Sequence, residues 1–213
     1  MKAYKTCGDL ASGSCRDLFQ DLKIVKVLIL GKENVGKTTL LKRILKNWNS
    51  KEERISTDGI DMKKWKPWNR EFENTEVYFW DFAGQELYYS THHFFLTDNS
   101  INLIVFDCTK SLLENRLLFW INSIQSRSPG SHIILVGSFT ENMKMEKIEQ
   151  ISEEVSKLVN IWQSSIPSNQ RPIFYGSEQN GRDISFWPLS CVKSSSKKIQ
   201  SLYLRYQIIE ILI

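Results

Sequence analysis

The sequence predicts an α/β fold in which a mostly parallel six-stranded sheet carries helices on both faces. Short apolar runs rich in β-branched residues alternate with longer segments whose apolar residues recur at helical spacing. The first run, IVKVLIL (Ile24–Leu30), passes through a glycine-rich loop directly into one of these helical segments. Ligands bind at the carboxyl ends of the strands in such sheets, so we expect the functional residues just after the strands.

The individual elements follow from the same patterns in chain order. Strands are predicted at Ile24–Leu30, Ile60–Trp68, Val77–Trp80, Ile101–Asp107 and Ile133–Val136. A last strand or an extra hairpin is predicted at Phe174 and Tyr175, after which Ile184–Leu189 runs into Ser190 and Cys191. Helices are predicted at Thr38–Trp48, Ser111–Gln125, Met145–Trp162 and Ile199–Leu212. Pro67 makes the second strand an edge strand, because proline cannot donate a ladder hydrogen bond.

Length and composition indicate one domain, which we place at 23–213, preceded by a leader with a short helix at 1–22. A chain of 213 residues is long enough to bury a core. Its net charge of +4 suits a phosphate-bearing ligand or an acidic partner, but it is too small to indicate nucleic-acid binding.

Cysteine usage and hydropathy predict a cytoplasmic protein. The four cysteines are widely spaced without a C-x-x-C pair, which favours neither a zinc site nor a disulfide framework and indicates a reducing compartment. Cys108 follows an apolar run and is expected to be a buried thiol. The N-terminus lacks the apolar core of a signal peptide, and no apolar run approaches the roughly 18 residues that a membrane span requires.

The segment GKENVGKT matches the pattern G-x-x-x-x-G-K-[ST] at every fixed position. Its glycines let the backbone curl so that N–H groups surround phosphate oxygens, and the helix that follows presents its positive end. The lysine is expected to reach the terminal phosphates and the threonine hydroxyl to bind Mg²⁺. The predicted contacts are Gly31, Lys32, Glu33, Asn34, Val35, Gly36, Lys37, Thr38 and Thr39.

A second motif, D-x-x-G, lies where the third strand ends. In a phosphate site of this type Asp81 would hold Mg²⁺ through water, and the Gly84 amide would contact the γ-phosphate. Gln85 follows, in the position where Ras-like proteins keep the residue that orients the attacking water. The alternative for Gln85 is an exposed residue at the start of a helix.

The loop RISTDGIDM lies between the two motifs and is expected to supply a third metal contact when a γ-phosphate is present. Thr57 is the favoured residue, and Ser56 is the alternative. His92 and His93 are not favoured as a metal site, because adjacent side chains on a helix diverge. A structural or partner-facing role is the better interpretation of this histidine pair.

The chain resembles the Roc domain, the Ras-like GTPase domain of Roco proteins, which include the leucine-rich-repeat kinases. The matching segments cover most of residues 24–191, and they are ILGKENVGKTTLL, STDGIDMKKW, WDFAGQELYYSTHHFFLT, LIVFD, ILVGS and FWPLSC. The resemblance implies a Ras-like P-loop fold, GTP and GDP as ligands, Mg²⁺, slow GTP hydrolysis with Gln85 as the catalytic residue, and a place within a larger polypeptide.

The guanine-reading motif departs from the family pattern. Ras-like proteins use N-K-x-D and Roc domains often use T-H-x-D, whereas this chain has Ser138, Phe139, Thr140 and Glu141. The carboxylate of Glu141 has the chemistry of the family aspartate on an arm longer by one methylene, and the ring of Phe139 could still cover a base. The alternative for Glu141 is a solvated loop acid. By resemblance, the backbone of Ser190 and Cys191 would contact the guanine oxygen.

The sequence therefore predicts a Mg²⁺-dependent guanine-nucleotide switch that hydrolyses GTP slowly, with Thr38, Thr57 and Asp81 at the metal. Two alternatives remain: a degenerate Roc module that acts as a protein-interaction domain, and an enzyme with relaxed nucleotide choice. Apolar residues spread around more than one face of 199–213 predict contact with a C-terminal-of-Roc domain or a second subunit. Folding back of 199–213 onto 1–22 is the other possibility for this surface.

Overall fold

The computed structural model describes residues 23–45, 59–66, 74–85, 94–97, 100–179 and 181–189. Its strands are β1 Lys23–Leu30, β2 Ile60–Trp65, β3 Thr75–Phe82, β4 Ser100–Asp107, β5 His132–Ser138, β6 Ile173–Tyr175, β7 Ser177–Gln179, β8 Arg182–Ile184 and β9 Trp187–Pro188. Its helices are α1 Lys37–Ile44, α2 Leu117–Arg127, α3 Met145–Ser164 and a 3₁₀ turn at Ser168–Gln170. The leader, the loop containing Thr57, the histidine pair and the predicted C-terminal helix lie outside these ranges.

The predicted mostly parallel sheet is confirmed. Its order is β2-β3-β1-β4-β5-β6, and β2 is an antiparallel edge strand that ends before Pro67. The remaining pairs within this sheet are parallel. The topology places β1 and β4 in the middle of the sheet, and all eight residues of β4 are buried, as expected for a strand covered on both faces.

The predicted number of strands was wrong, because the sheet has seven in the part of the chain that the structure describes. The short strand β6 pairs with the first residues of β5, and β9 pairs with Val136 and Gly137 farther along β5. The antiparallel hairpin β7–β8 interrupts the chain between β6 and β9. Phe174 and Tyr175 lie in β6, a parallel strand of the main sheet, so the strand interpretation is correct for these two residues. The hairpin interpretation is wrong for them, because the hairpin begins only at Ser177.

Two apolar layers hold the helices against the sheet. Alternate residues of β1 point to opposite faces, so Leu28 and Leu30 pack with α2 and α3, while Val27 and Ile29 pack with α1. No helix within the described ranges has the length and apolar character needed to cross a bilayer.

The predicted start of the second helix, at Ser111, was wrong, because α2 begins at Leu117. The side chain of Asn115 holds the preceding residues in a loop instead. Its Oδ1 accepts from the Asp107 amide at 2.8 Å, and its Nδ2 donates to the carbonyls of Asp107 and Ser111, each at 2.9 Å. Arg116 then takes a left-handed conformation with φ 54°, which interrupts helical geometry immediately before α2.

Candidate functional site

The loop from β1 into α1 and the first two residues of this helix, residues 31–38 together, are called the phosphate loop below, and the loop has the conformation that its glycines predict. Gly31, Asn34 and Gly36 have φ values of 139°, 62° and 95°. A Cβ at Gly31 would collide with the Val105 carbonyl of the neighbouring strand, so this position also needs glycine for lack of space. A loop of this type, followed directly by the positive end of α1, directs amide groups toward an anion.

Lys37 is the buried cation of this loop. Its side chain is 6% exposed, and Nζ donates to the carbonyls of Gly31 at 2.9 Å and Lys32 at 2.8 Å. Burial lowers the pKa of Lys37 to about 8, against the opposing effect of the Asp81 and Glu33 charges. The ammonium group therefore remains largely protonated at neutral pH, in a region where low polarity strengthens its attraction to a phosphate.

The two predicted metal-binding side chains within the described residues meet each other. Oγ1 of Thr38 donates a hydrogen bond to Oδ2 of Asp81 at 2.6 Å, and Asp81 is fully buried. The contact follows from the topology, because Asp81 pairs with Ile29 near the end of β1. A hydroxyl and a carboxylate are oxygen donors of the kind that Mg²⁺ prefers, so this pair fits the metal.

Gly84 brings the D-x-x-G motif onto the phosphate loop. A Cβ built at Gly84 would collide with the backbone N and Cα of Glu33 and with Nζ of Lys37. Since the Glu33 atoms belong to the backbone, a larger residue would force the two loops apart. Gln85 follows and is half-buried beside this contact.

The altered guanine-reading motif, residues 138–141, is called the base motif below, and it begins at the end of β5, next to the phosphate loop. The distance from Ser138 Cβ to a Cβ built on Gly36 would be 3.9 Å. The Ser138 hydroxyl is buried and donates to the Phe106 carbonyl at 2.9 Å, so its side chain stabilises the strand pair. Phe139 is left-handed with φ 58°, an unusual conformation that is most common at ligand sites and turns.

Glu141 ends the base motif with a buried carboxylate oxygen. Among the described residues, none donates a hydrogen bond to its Oε2. A buried acceptor without a donor costs about 1–3 kcal/mol, so this atom is suited to receive a donor from a ligand. The solvated loop acid considered from the sequence does not match the burial of this atom.

Several predicted residues cannot be placed. Thr57, Ser56, Ser190, Cys191, His92 and His93 lie outside the described ranges. The loop that precedes Ser190 is nonetheless near the base motif, because the Leu189 amide donates to the Gly137 carbonyl at 2.7 Å. The described residues contain no cluster of three or more His, Cys, Asp or Glu side chains able to hold a metal. Cys108 is buried as predicted, and burial, with a further contribution from Asp107, raises its pKa to about 12.

Sequence reasoning missed the loop between β4 and α2, which supports the site. Lys32 of the phosphate loop donates to the Glu114 carbonyl at 3.4 Å. Asp107, at the end of β4, accepts from the Thr109 amide at 2.8 Å and from its hydroxyl at 2.6 Å. An Asp followed two residues later by Thr is a turn signal, so the pattern D-x-T after a buried strand could have indicated this loop.

A family model and a curated relative match most of this site. Residues 26–142 match the model described as "Ras of Complex, Roc, domain of DAPkinase". The probable serine/threonine-protein kinase pats1 of Dictyostelium discoideum is 34% identical over 161 residues. The match covers 64% of this chain but 5% of pats1, so the chain corresponds to a small part of that relative.

A small relative and a solved structure extend the similarity. The Ras-related protein RabT1 of Dictyostelium discoideum is 28% identical over 139 residues, which is 63% of this chain and 61% of RabT1. The structure of Methanosarcina barkeri Roco2 RocCORdC bound to GDP aligns with a TM-score of 0.59 and 28% identity. The alignment covers 89% of this chain and 50% of the Roco2 chain.

Proposed function

The chain belongs to the Roc family of Ras-like domains, and we propose that it is a guanine-nucleotide switch that binds GTP and GDP with Mg²⁺ and slowly hydrolyses GTP. The Roco2 structure to which it is similar is described as bound to GDP, which supports a guanine nucleotide as the ligand. The proposed unit is 23–213, with residues 1–22 as a leader.

The observation that carries the proposal is the convergence of Lys37, Thr38 and Asp81. The phosphate loop and the end of β3 are distant in sequence, yet the Thr38 hydroxyl reaches the Asp81 carboxylate while the Lys37 ammonium lies in the same loop. One buried cation and two oxygen donors at a helix N-terminus form a site for a polyphosphate with its metal. A role for this cluster in core stability alone would not require a buried ammonium group.

Each residue of the proposed site has a separate task. Backbone amides of the loop bind phosphate oxygens, Lys37 neutralises the terminal phosphates, and Thr38, Thr57 and Asp81 hold Mg²⁺, directly or through water. Mg²⁺, when bound, offsets the negative charge that develops on the phosphates during transfer. The Gly84 amide contacts the γ-phosphate, and Gln85 orients the attacking water without removing its proton.

In the proposed site, Glu141 and Phe139 select the base. Guanine presents an N1–H and a 2-amino group, and the carboxylate of Glu141, whose Oε2 is buried, can accept from both through its two oxygens. Adenine lacks both donors in that arrangement. The Phe139 ring covers the base, and the backbone of Ser138, Ser190 and Cys191 contributes at the rim of the pocket.

Relaxed nucleotide choice is the second candidate, and the same motif favours it. Glu141 carries its carboxylate one methylene farther from the backbone than aspartate, and Phe139 replaces a cationic family residue. A carboxylate that fits guanine imperfectly would lose part of a charge-assisted hydrogen bond worth about 1.5–3 kcal/mol. In the limit of poor binding, the domain would act as a protein-interaction module.

Competition titration tests the proposal against both alternatives. Purified protein with fluorescent GDP and Mg²⁺ is titrated with unlabelled GTP, ATP and XTP. Displacement by GTP at concentrations at least about tenfold below those of ATP and XTP supports guanine selectivity. Equal displacement by all three supports relaxed choice, and absence of GDP binding supports the interaction module.

We also propose a partner for the C-terminal segment and a cellular location for the protein. The apolar residues spread around more than one face of 199–213 lead us to propose a C-terminal-of-Roc domain or a second copy as the partner of this segment. A cytoplasmic location is proposed from the widely spaced cysteines, and a signalling role is proposed from the switch function. Light scattering of the GDP-bound protein tests self-association, and a monomer at high concentration with no loss of solubility rules out an exposed adhesive face.

A further inference from the structure

Glu33 is an acidic residue of the phosphate loop at the point where this loop meets the D-x-x-G motif. Its side chain is exposed, while its backbone N and Cα lie against Gly84. Nζ of Lys37 lies against the same position of Gly84. Burial lowers the pKa of Lys37, and the charge of Glu33, with that of Asp81, raises it against this larger effect.

We propose that Glu33 is a specificity-determining residue that weakens triphosphate binding relative to diphosphate binding. The inference rests on the proposed nucleotide function, in which the terminal phosphate contacts Lys37 and the Gly84 amide. A triphosphate brings additional negative charge to the location that Glu33 already borders. The repulsion acts on GTP more than on GDP, so it shifts the resting protein toward the diphosphate form.

The ratio of the two affinities isolates this effect. Glu33 also helps to keep Lys37 protonated, and that contribution assists the binding of any phosphate. Because GDP and GTP both benefit from a charged Lys37, this assistance largely cancels when the two dissociation constants are divided. The remaining difference reports the repulsion between the Glu33 carboxylate and the terminal phosphate.

The exposure of Glu33 sets the size and the salt dependence of the effect. At an effective dielectric constant between those of a protein surface and water, a charge pair several ångströms apart changes an affinity by about three- to tenfold. Salt screens exposed charges, with a Debye length of about 10 Å at 0.1 M and about 3 Å at 1 M. A purely steric role for Glu33 would not depend on salt in this way.

The test compares Glu33→Gln with two controls. Glu33→Asp retains the charge, and Glu153→Gln removes an equal charge from an exposed position on α3. Dissociation constants for GDP and for a non-hydrolysable GTP analogue are measured with Mg²⁺ at 0.05 M and 1 M NaCl. Glu33→Gln is expected to lower the GTP-to-GDP ratio of dissociation constants about three- to tenfold at low salt.

The remaining outcomes separate the inference from the function on which it rests. Glu33→Asp and Glu153→Gln should keep a ratio near that of the unmodified protein at each salt concentration, and the difference in ratio between the unmodified protein and Glu33→Gln should shrink at 1 M NaCl. Nucleotide binding with an unchanged ratio in Glu33→Gln at 0.05 M NaCl, or with a difference that is the same at both salt concentrations, overturns the role of Glu33 alone. Absence of GDP binding in the unmodified protein overturns the proposed function and this inference with it.

Discussion

The Thr38 hydroxyl donates a hydrogen bond of 2.6 Å to the Asp81 carboxylate across 43 positions of sequence. Asp81 lies near the end of β3 and Thr38 in the first turn of α1. The parallel pairing of β1 with β3 places Asp81 beside Ile29, close to the point where β1 leads into the loop before α1. Their contact joins the phosphate loop to the D-x-x-G motif. The metal, phosphate and hydrolysis proposals all depend on this junction.

Replacing Thr38 with Asn is expected to abolish Mg²⁺-dependent binding of GDP and GTP. The variant removes the hydroxyl donor and places a larger amide against Asp81. Thr38→Ser keeps the hydroxyl and should retain most of the affinity, since serine also satisfies the motif. Fluorescent-nucleotide titration with and without EDTA measures the effect, and circular dichroism confirms that both variants fold. Undiminished affinity in folded Thr38→Asn would contradict the P-loop assignment.

The burial of Lys37 predicts a pH dependence of the nucleotide-free protein. The pKa of Lys37 is about 8 in the folded state and 10.5 in its unperturbed state, so the unfolded chain binds more protons between these values. The free energy of unfolding should therefore rise with pH in this window, by about 2 kcal/mol from pH 7 to pH 9.5. Below the folded pKa, Lys37 is charged in both states, so the free energy of unfolding no longer changes with pH because of this residue.

Urea unfolding of Lys37→Met at both pH values isolates this contribution from other titrating groups. The variant should lack the rise that is due to Lys37. Lys157→Met, which changes an exposed lysine on α3, serves as the matched control and should behave like the unmodified protein. Equal pH profiles for the unmodified protein and Lys37→Met would show that Lys37 is not desolvated in the folded state.

Shortening Glu141 to Asp is expected to improve guanine selectivity. The aspartate restores the family arm length, so the preference for GTP over ATP should rise about three- to tenfold through better charge-assisted hydrogen bonds. Competition by GTP and ATP against labelled GDP measures the change. If selectivity is already complete and Glu141→Asp weakens it, then Glu141 fits guanine as it stands, and the concern over its length is wrong.

Hydrolysis should be slow and should depend on Gln85. Domains of this kind turn over at roughly 10⁻⁴ to 10⁻³ s⁻¹ when no arginine is supplied, and at about 10⁻² s⁻¹ when the domain carries the arginine itself. Arg54 is the nearest sequence candidate for that arginine and lies outside the described residues. Gln85→Leu should slow single-turnover phosphate release at least about tenfold without loss of GTP affinity, because glutamine positions the water. An unchanged rate would indicate a binding switch or an inactive relative.

The phosphate loop could be predicted because its chemistry constrains its spacing. Gly31 has no room for a Cβ beside Val105, and Gly36 needs a positive φ, so both glycines are required by local sterics. The strands were predicted for a similar reason, since continuous apolar runs such as β4 are typical of parallel sheets. These features depend on nearby residues and are visible in a single sequence.

The features that could not be predicted depend on tertiary contacts. Helical spacing of leucines extended the expected helix to Ser111, but the hydrogen bonds of Asn115 hold that segment as a loop. The seventh strand was missed because β9 has two residues, too few for a periodic pattern. The hydrogen bond from the Ser138 hydroxyl to the Phe106 carbonyl was also not predicted, because it joins residues 32 positions apart on neighbouring strands.

Calorimetric titration of the purified protein with GDP tests the central claim most directly. The experiment is run with Mg²⁺, with EDTA, and with Lys37→Ala in the presence of Mg²⁺. The proposed site predicts saturable binding of one GDP per chain that weakens in EDTA and disappears in folded Lys37→Ala. GDP binding of equal strength in folded Lys37→Ala, or no binding to the unmodified protein, would contradict the claim that this loop binds a guanine nucleotide.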